Sequence, residues 1–252
     1  TTLFRSSPAG ILVRQDDPIL AREGLLPEPP HRIGTVPETA LYLENGLAFA
    51  VPLHTGQKTG SYLDQKENHA FLETWVAGRS VLDACAYHGG FALHAARAGA
   101  ASVTALDISG EALRHVRDNA AHNRLVGINL AEANVFDYLR EARKQGRRFD
   151  AIVLDPPAFA KSRRTLPDAR RGYKEINLGA LRLLPPGGLL ATHSCSYHMQ
   201  EAMFLDTVLE AAMDARRTVR ILAVRRQAMD HPVLGGYPES HYLKSVWLEI
   251  LD

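Results

Sequence analysis

Val81-Leu82-Asp83-Ala84-Cys85-Ala86-Tyr87-His88-Gly89-Gly90-Phe91 is an apolar run that breaks at a carboxylate, turns through two glycines and enters an alanine-rich segment. A parallel strand buried on both faces is continuously apolar, and paired glycines let the backbone turn tightly and approach a ligand where the next helix begins. The stretch therefore predicts strand, loop and helix. A second apolar run, Ala101 to Leu106, ends on Asp107, about where an acidic side chain meets a ribose hydroxyl in dinucleotide-binding folds. The same residues also allow a plain connection with Asp107 as a helix cap, and both readings stay open on this stretch alone.

The full Gly-x-Gly-x-x-Gly pattern for a pyrophosphate is missing. That argues against a nicotinamide or flavin dinucleotide and leaves a cofactor with a ribose but no phosphates, a description that S-adenosylmethionine fits.

Outward from this stretch, strands and helices alternate. Glu111 to His122 carries Leu113, Val116 and Ala120 at helical spacing, and Phe149 to Leu154 is a buried strand ending on Asp155. Gly172 to Leu184 predicts a helix, Pro185-Pro186-Gly187-Gly188 a turn and Leu189 to Thr192 a strand. Phe204, Leu205, Val208, Leu209 and Ala212 form one helix face, and Tyr242 to Leu251 a last strand. Alternation of this kind is the mark of an α/β, doubly wound, mostly parallel sheet of Rossmann-like form. Ligands of such sheets sit beyond the carboxyl ends of the strands, so Asp83, Asp107, Asp155 and Cys195 are expected to converge on one crevice.

Before this pattern lie short β-branched pieces, a proline-rich stretch (Pro27-Glu28-Pro29-Pro30) and two apolar runs around Asn45-Gly46, a strong signal for a type I′ hairpin. A small β-rich region over 1–60, followed by the main domain over 61–252, is the expected division. Thr55 to Gln65 suits either a linker or a loop closing over a ligand, with Asp64 and Glu67 placed as a capping box.

The 252 residues suffice for a sizeable core, and 46% hydrophobic with 23% charged content is ordinary for a soluble chain. No apolar run has the length of a membrane span and the first residues form no signal peptide, so a cytoplasmic location without membrane contact is expected. Two cysteines, Cys85 and Cys195, make no disulfide framework and have no metal-ligand spacing. No metal site is predicted. The net charge of +1 is neutral evidence on nucleic acid, but cations cluster at Arg143-Lys144 with Arg147-Arg148, at Lys161 to Arg171, and at Arg216 to Arg226. Such clusters are ordinarily solvated faces. The second is the better candidate for phosphate contact, because it follows directly on Asp155-Pro156-Pro157-Ala158-Phe159. There the prolines fix the backbone past a strand end, Asp155 faces the crevice and Phe159 offers a face for a planar ring.

This last motif resembles the Asp-Pro-Pro of class I S-adenosylmethionine-dependent methyltransferases. The chain as a whole is similar to the bacterial large-subunit ribosomal RNA cytosine-C5 methyltransferase I family. The likeness rests on Thr55-Gly56-Gln57-Lys58-Thr59-Gly60-Ser61-Tyr62-Leu63-Asp64-Gln65, on Tyr87-His88-Gly89-Gly90-Phe91 and on Arg171-Gly172-Tyr173-Lys174-Glu175-Ile176-Asn177. Ser194-Cys195-Ser196 and the segment from His231-Pro232-Val233 through Tyr237-Pro238-Glu239 to Tyr242-Leu243-Lys244 complete it. It runs from about residue 10 onward. Full-length members begin with an RNA-binding module and a whole middle β domain, whereas the resemblance here begins inside the latter, which is expected either of a fragment or of a chain whose substrate needs less grip.

The resemblance implies S-adenosylmethionine as cofactor, RNA, ribosomal above all, as substrate, and 5-methylcytidine as product; a second copy of the chain is kept among the partners. It implies a cofactor site of Lys58, Tyr62, Asp64, Gln65, Asp83, Tyr87, Gly89, Phe91, Asp107, Ile108, Asn134 and Asp155. It implies substrate contacts from Pro156, Pro157, Phe159, Lys161, Arg171, Tyr173 and Lys174. Cytosine C5 is a poor nucleophile, so methylating it calls for a thiolate adduct at C6. The resemblance assigns that thiolate to Cys195, with Asp155 holding the pyrimidine through N3 or N4. Cys85 is expected to pack, and His88, His193 and His198 to be ordinary histidines, the last two with a lesser claim to tune Cys195. Two other readings stay open: a guanine N-methyltransferase of the same fold without covalent catalysis, and a non-catalytic domain of this fold that binds RNA or a partner.

Overall fold

In the computed structural model, the described residues are 8–14, 20–21, 24–26, 29–54, 60–159 and 163–252. Two compact units divide them: 1–41 with 50–61, and 42–49 with 62–252. The tip of the hairpin thus belongs with the larger unit and not, as the 1–60 division expected, with the smaller.

In the smaller unit, β1 (Gly10–Val13) pairs antiparallel with β2 (His31–Gly34). The hairpin strands β3 (Thr39–Glu44) and β4 (Leu47–Pro52) each run from one unit into the other. Their turn follows the residue chemistry, with Asn45 at φ 49° and Gly46 at φ 86°, the two positive values that a type I′ turn requires. On β4, Leu47, Phe49 and Val51 are buried and alternate with less buried neighbours, the period-two pattern of a strand with one face covered.

The larger unit is built on a seven-stranded sheet in the order β10-β11-β9-β8-β5-β6-β7. In chain order its elements are α1 (Lys66–Glu73), β5 (Ser80–Ala84), α2 (Gly90–Arg97), β6 (Ser102–Asp107), α3 (Gly110–His122), β7 (Ile128–Glu132), α4 (Val135–Lys144) and β8 (Ala151–Leu154). There follow α5 (Leu166–Leu181), β9 (Leu189–Ser194), α6 (Glu201–Ala215), β10 (Val219–Arg225) and β11 (Lys244–Ile250). Strands β7, β6, β5, β8 and β9 are parallel, and β11 enters antiparallel between β9 and β10. The order reverses at β5 and β8, which places the ligand crevice of such a fold at their carboxyl ends.

Side chains separate into two apolar clusters. One joins Leu82, Ile152 and Leu190 to Leu139 of α4, Ile176 of α5 and Phe204 of α6; the other joins Val81, Val153 and Ala191 to Leu72 of α1, Leu93 of α2 and Val116 of α3. Alternate residues of each strand feed the two, so the sheet is covered on both faces.

Three local expectations are corrected. Helix α5 begins at Leu166, where Pro167 occupies a first-turn position that needs no N–H, and ends at Leu181, not at Leu184. Asp64 and Glu67 form no capping box: Asp64 lies in a 3-10 turn over Leu63–Gln65 and accepts from Tyr242 Oη at 2.8 Å, while Glu67 Oε1 accepts from Met229 N at 2.9 Å. Asp107 does not cap α3; Ser109 does, its hydroxyl accepting from Ala112 N at 3.2 Å. No helix among the described residues is long and apolar enough to cross a membrane.

Candidate active site

The loop after β5 is held from β6. Cys85 N and Ala86 N both donate to Leu106 O, and the Asp107 carboxylate accepts from Tyr87 N on Oδ2 and from Ser109 N on Oδ1, each at 2.9 Å. Asp107 thus fastens two neighbouring loops, and since a carboxylate offers about four acceptor directions, two remain for hydroxyl donors. Beside it Ile108 is 70% exposed, an apolar face open to a flat ring. At the start of α2, Gly89 has φ +87°, and a Cβ there would lie 2.6 Å from Leu93 Cδ1; a Cβ on Gly90 would lie 2.4 Å from His69 Cε1. Both glycines are required by close approach.

Asp83 lies within β5, is 1% exposed, and accepts from Ala92 N at 2.9 Å, so it anchors the first turn of α2 and does not open on the crevice. Burial raises its pKa to about 7. Burial likewise pushes the Cys85 thiol up, so it stays protonated, in keeping with a packing role. Asn134 caps α4 with its amide oxygen, which accepts from Phe136 N at 2.9 Å; its NH2 group is left for a ligand.

Asp155 follows β8 and accepts from Gln65 Nε2 at 3.1 Å. Gln65 is oriented in turn, its Oε1 accepting from Asn68 Nδ2 at 2.7 Å, and Asn68 Oδ1 accepts from Arg225 Nε at 3.0 Å. A relay from β10 through α1 thereby aims the carboxylate. Tyr62 packs edge-on against Tyr87 with ring centres 5.1 Å apart. Burial raises its pKa, and the charges of Asp155 and Cys195 raise it further, so this phenol keeps its proton between the two groups.

Cys195, half-buried, follows β9 between two hydroxyls that one phenol collects. Ser194 Oγ donates to Tyr173 Oη at 2.9 Å, and Ser196 Oγ shares a hydrogen bond with the same oxygen at 2.9 Å. Lys244, at the head of β11, is 2% exposed and donates from Nζ to Ser196 O at 2.7 Å and to Tyr242 O at 2.8 Å. Burial lowers its pKa to about 8, and the charge of Cys195 opposes that fall. A buried ammonium whose bonds go to neutral carbonyls is a cation left to balance a thiolate.

Residues 31–228 match the S-adenosylmethionine-dependent methyltransferase family. The chain belongs to that family. It is 45% identical over 236 residues to the ribosomal RNA large subunit methyltransferase I of Shewanella frigidimarina, and 42% identical over 239 residues to that of Aeromonas salmonicida. The matches cover 92% and 94% of this chain but 59% and 60% of those relatives, so the chain spans about three fifths of their length. Among solved structures it is similar to an S-adenosylmethionine-dependent methyltransferase from Streptococcus mutans (26% identity, TM-score 0.79, 87% of this chain and 58% of that one). It is also similar to a methyltransferase solved with S-adenosylhomocysteine (27% identity, TM-score 0.78, 86% and 57%). S-adenosylmethionine is accordingly the cofactor of the family. The donor set of the chain suits it: spare carboxylate acceptors on Asp107 for ribose hydroxyls, and an apolar face on Ile108 and an amide on Asn134 for adenine.

Several residues expected in the crevice lie elsewhere. Tyr173 is 0% exposed and cannot touch a substrate; it acts on the backbone that carries Cys195. Lys174 faces α6 and pairs with Asp214 at 2.9 Å and Glu210 at 3.7 Å, which compensates its charge. Arg171 pairs with Asp168 at 2.5 Å but remains largely exposed. Phe159 packs on Tyr173 with ring centres 4.6 Å apart, in a space that Gly172 leaves for it, so part of its ring is already covered. Pro156 is buried and Pro157 exposed past Asp155. Phe91 is 3% exposed and stacks on His193, so it supports the loop from beneath. His193 is fully buried, its pKa lowered to about 3 by burial, and it packs between Phe91 and Trp247; it has no place in tuning the thiol. Lys58 and Lys161 lie outside the described residues.

Lys244, Asn68, Arg225 and Tyr242 were not singled out from the sequence as working residues. Only Lys244 had a cue there: a lysine heading the apolar run Val246-Trp247-Leu248 is either an edge residue or a buried cation. Nor was the buried group Glu44, His69 and His94, whose nearest atoms, His69 Nδ1 and Glu44 Oε1, are 2.6 Å apart.

Proposed function

We propose that this methyltransferase forms 5-methylcytidine in ribosomal RNA through a covalent adduct on Cys195. The observation that carries the reading is the setting of Cys195, whose neighbours Ser194 and Ser196 are held by Tyr173 and whose following carbonyl is held by the buried Lys244, on the same strand-end face as Asp155 held by Gln65. The names of the relatives support RNA as the substrate.

S-adenosylmethionine supplies an electrophilic sulfonium methyl group. Asp107, Ile108 and Asn134 hold its ribose and adenine, and Gly89 lets it approach the backbone. Asp155, fixed by Gln65, accepts from the N4 and N3 edge of the cytosine and so favours the ring protonated at N3, whose C6 is electron-poor. The Cys195 thiolate then adds to C6, and the electron pair of the C5–C6 double bond becomes available at C5 to take the methyl group. The C5 proton passes to water, its bonding pair re-forms the C5–C6 double bond and the thiolate leaves C6 with its own pair, which restores the ring; S-adenosylhomocysteine would be the neutral co-product. Tyr62 stays protonated between the two acids and offers an O–H to the base.

The test is incubation with methyl-labelled S-adenosylmethionine and unmodified ribosomal RNA, followed by digestion and mass spectrometry of nucleosides. Labelled 5-methylcytidine is expected. A labelled methylguanosine would reduce Cys195 to packing, and the absence of label with intact cofactor binding would favour the non-catalytic alternative. Cys195→Ala is expected to lose turnover by at least ~10³-fold while its cofactor dissociation constant, read by calorimetry, stays within about twofold; sustained turnover in this variant would end the covalent reading.

A further inference from the structure

Two of the arginine clusters that sequence reading leaves as solvated faces come together in space. Arg143 lies in the last turn of α4 and Arg148 follows it, Arg182 caps the end of α5, and Arg216 and Arg217 follow α6; the five line one cavity of about 330 Å3 on the larger unit. No carboxylate lines it. Arg217 donates to Leu184 O at 2.8 Å and to Asp252 O, and its charge is met by the Asp252 carboxylate; Arg148 donates to Arg147 O at 3.2 Å. Among the described residues Arg143, Arg182 and Arg216 have no carboxylate partner.

Cations at helix carboxyl ends are ordinary, because each end carries about half a negative charge. Magnitudes decide here. Asp252 offsets Arg217, and three helix ends supply roughly −1.5 against the other four guanidinium charges, so a surplus of about +2.5 remains over one cavity. The cations on the outer faces of α5 and α6 show the contrast: Arg170 pairs with Glu210, Lys174 with Asp214 and Arg171 with Asp168. There each cation named has a carboxylate partner, whereas at the cavity only Arg217 meets one.

We infer that this cavity binds a phosphate of the RNA backbone, at the end of the sheet opposite the crevice. Guanidinium groups form paired hydrogen bonds to phosphate oxygens and keep their charge at any working pH. Arg148 precedes β8 and Asp155 follows it, and seven residues of extended chain span about 23 Å, so one phosphate here and one base in the crevice belong to an RNA that reaches across the molecule. The inference rests on RNA being the substrate.

The experiment compares the wild type, Arg143→Gln/Arg216→Gln and Arg143→Lys/Arg216→Lys. RNA affinity is measured by anisotropy against salt, with a long ribosomal RNA fragment and with an oligonucleotide too short to span the sheet. For the long RNA the glutamine pair is expected to weaken binding about tenfold and to flatten the slope of log K against log salt by about 1 to 2. The lysine pair should recover most of both, and the short oligonucleotide should bind all three alike. Cofactor affinity of each variant reports an intact fold. Unchanged affinity and slope with long RNA, where the wild type binds it, would overturn this site and leave the RNA reading standing. A wild type that binds no RNA at low salt would overturn both. Thermal stabilisation by inorganic phosphate that disappears in the glutamine pair, with RNA binding unmoved, would assign the cavity to a free anion and overturn the inference as made.

Discussion

Cys195 and Lys244 illustrate how little of a site's chemistry resides in the residue that gives it its name. The thiol was visible in the sequence as Ser194-Cys195-Ser196, and the aspartate as Asp155-Pro156-Pro157. What tunes them was not. Lys244 arrives from β11, 49 positions later, because that strand inserts antiparallel beside β9 and sets Lys244 opposite Ser194. No periodicity announces such a pairing. Lys244→Met is expected to raise the titration midpoint of the Cys195 thiol by about one unit, read as the pH dependence of iodoacetamide alkylation. The sign follows from the pKa near 8: below it Lys244 is a cation that favours the thiolate, and above it the group turns neutral. The difference in alkylation rate between wild type and variant should therefore be large at pH 7 and narrow toward pH 9.5. A constant ratio across that range would remove Lys244 from the role. Tyr173 teaches the same lesson in reverse, since its place in a recognisable segment suggested a contact with substrate, and its complete burial gives it to the backbone around Cys195.

At the scale of elements, the loop between β5 and α2 is fixed by two carboxylates with different work. Asp107 ties this loop to the one after β6, and Asp107→Ala is expected to weaken cofactor binding by at least about tenfold, measured by calorimetry, since ribose acceptors and loop fastening are lost together. An unchanged dissociation constant would take Asp107 out of the ribose site. Asp83 is the structural partner. Its pKa in the folded protein is raised to about 7 from an ordinary 3.8, so the stability it contributes is complete below about pH 4 and is lost as the pH rises through 7. Asp83→Asn retains an acceptor for Ala92 N–H and removes the ionisation. The variant should be more stable than wild type at pH 8, and its stability should lose the decline between pH 4 and 7, both readable in urea melts. The order of strands and helices was legible because apolar runs and Gly-Gly or Pro-Pro breaks are local signals. Strands β7 and β10 escaped notice. They are the sheet's edges, half-exposed, and lack the continuous apolar character that marks β8 and β9.

The molecule as a whole is divided in a way that no composition shift foretold. Residues 42–49 leave the small N-terminal unit and join the larger one, where Phe49 is 1% exposed and stacks on His94, and Glu44 meets His69. Phe49→Ala is expected to cost the larger unit about 3–5 kcal/mol, seen as a lowered midpoint in denaturant with little change in slope, whereas a loss under 1 kcal/mol would show the hairpin tip to be peripheral. Three crossings of the chain, at 41/42, 49/50 and 61/62, bind one unit into the other's sequence. The order of synthesis gives this a consequence. Ala48 exchanges backbone bonds with the Asn123 side chain at 2.8 and 2.7 Å, 75 residues further on. At roughly 5–20 residues per second, the hairpin tip leaves the ribosome about 4 to 15 s before its last partner, with Phe49 and Leu47 still exposed. The positive-φ pair Asn45-Gly46 sets the turn locally, but an isolated hairpin is marginal in water, and Lys66, His94 and Arg97 fasten Asn45 only once they too have emerged.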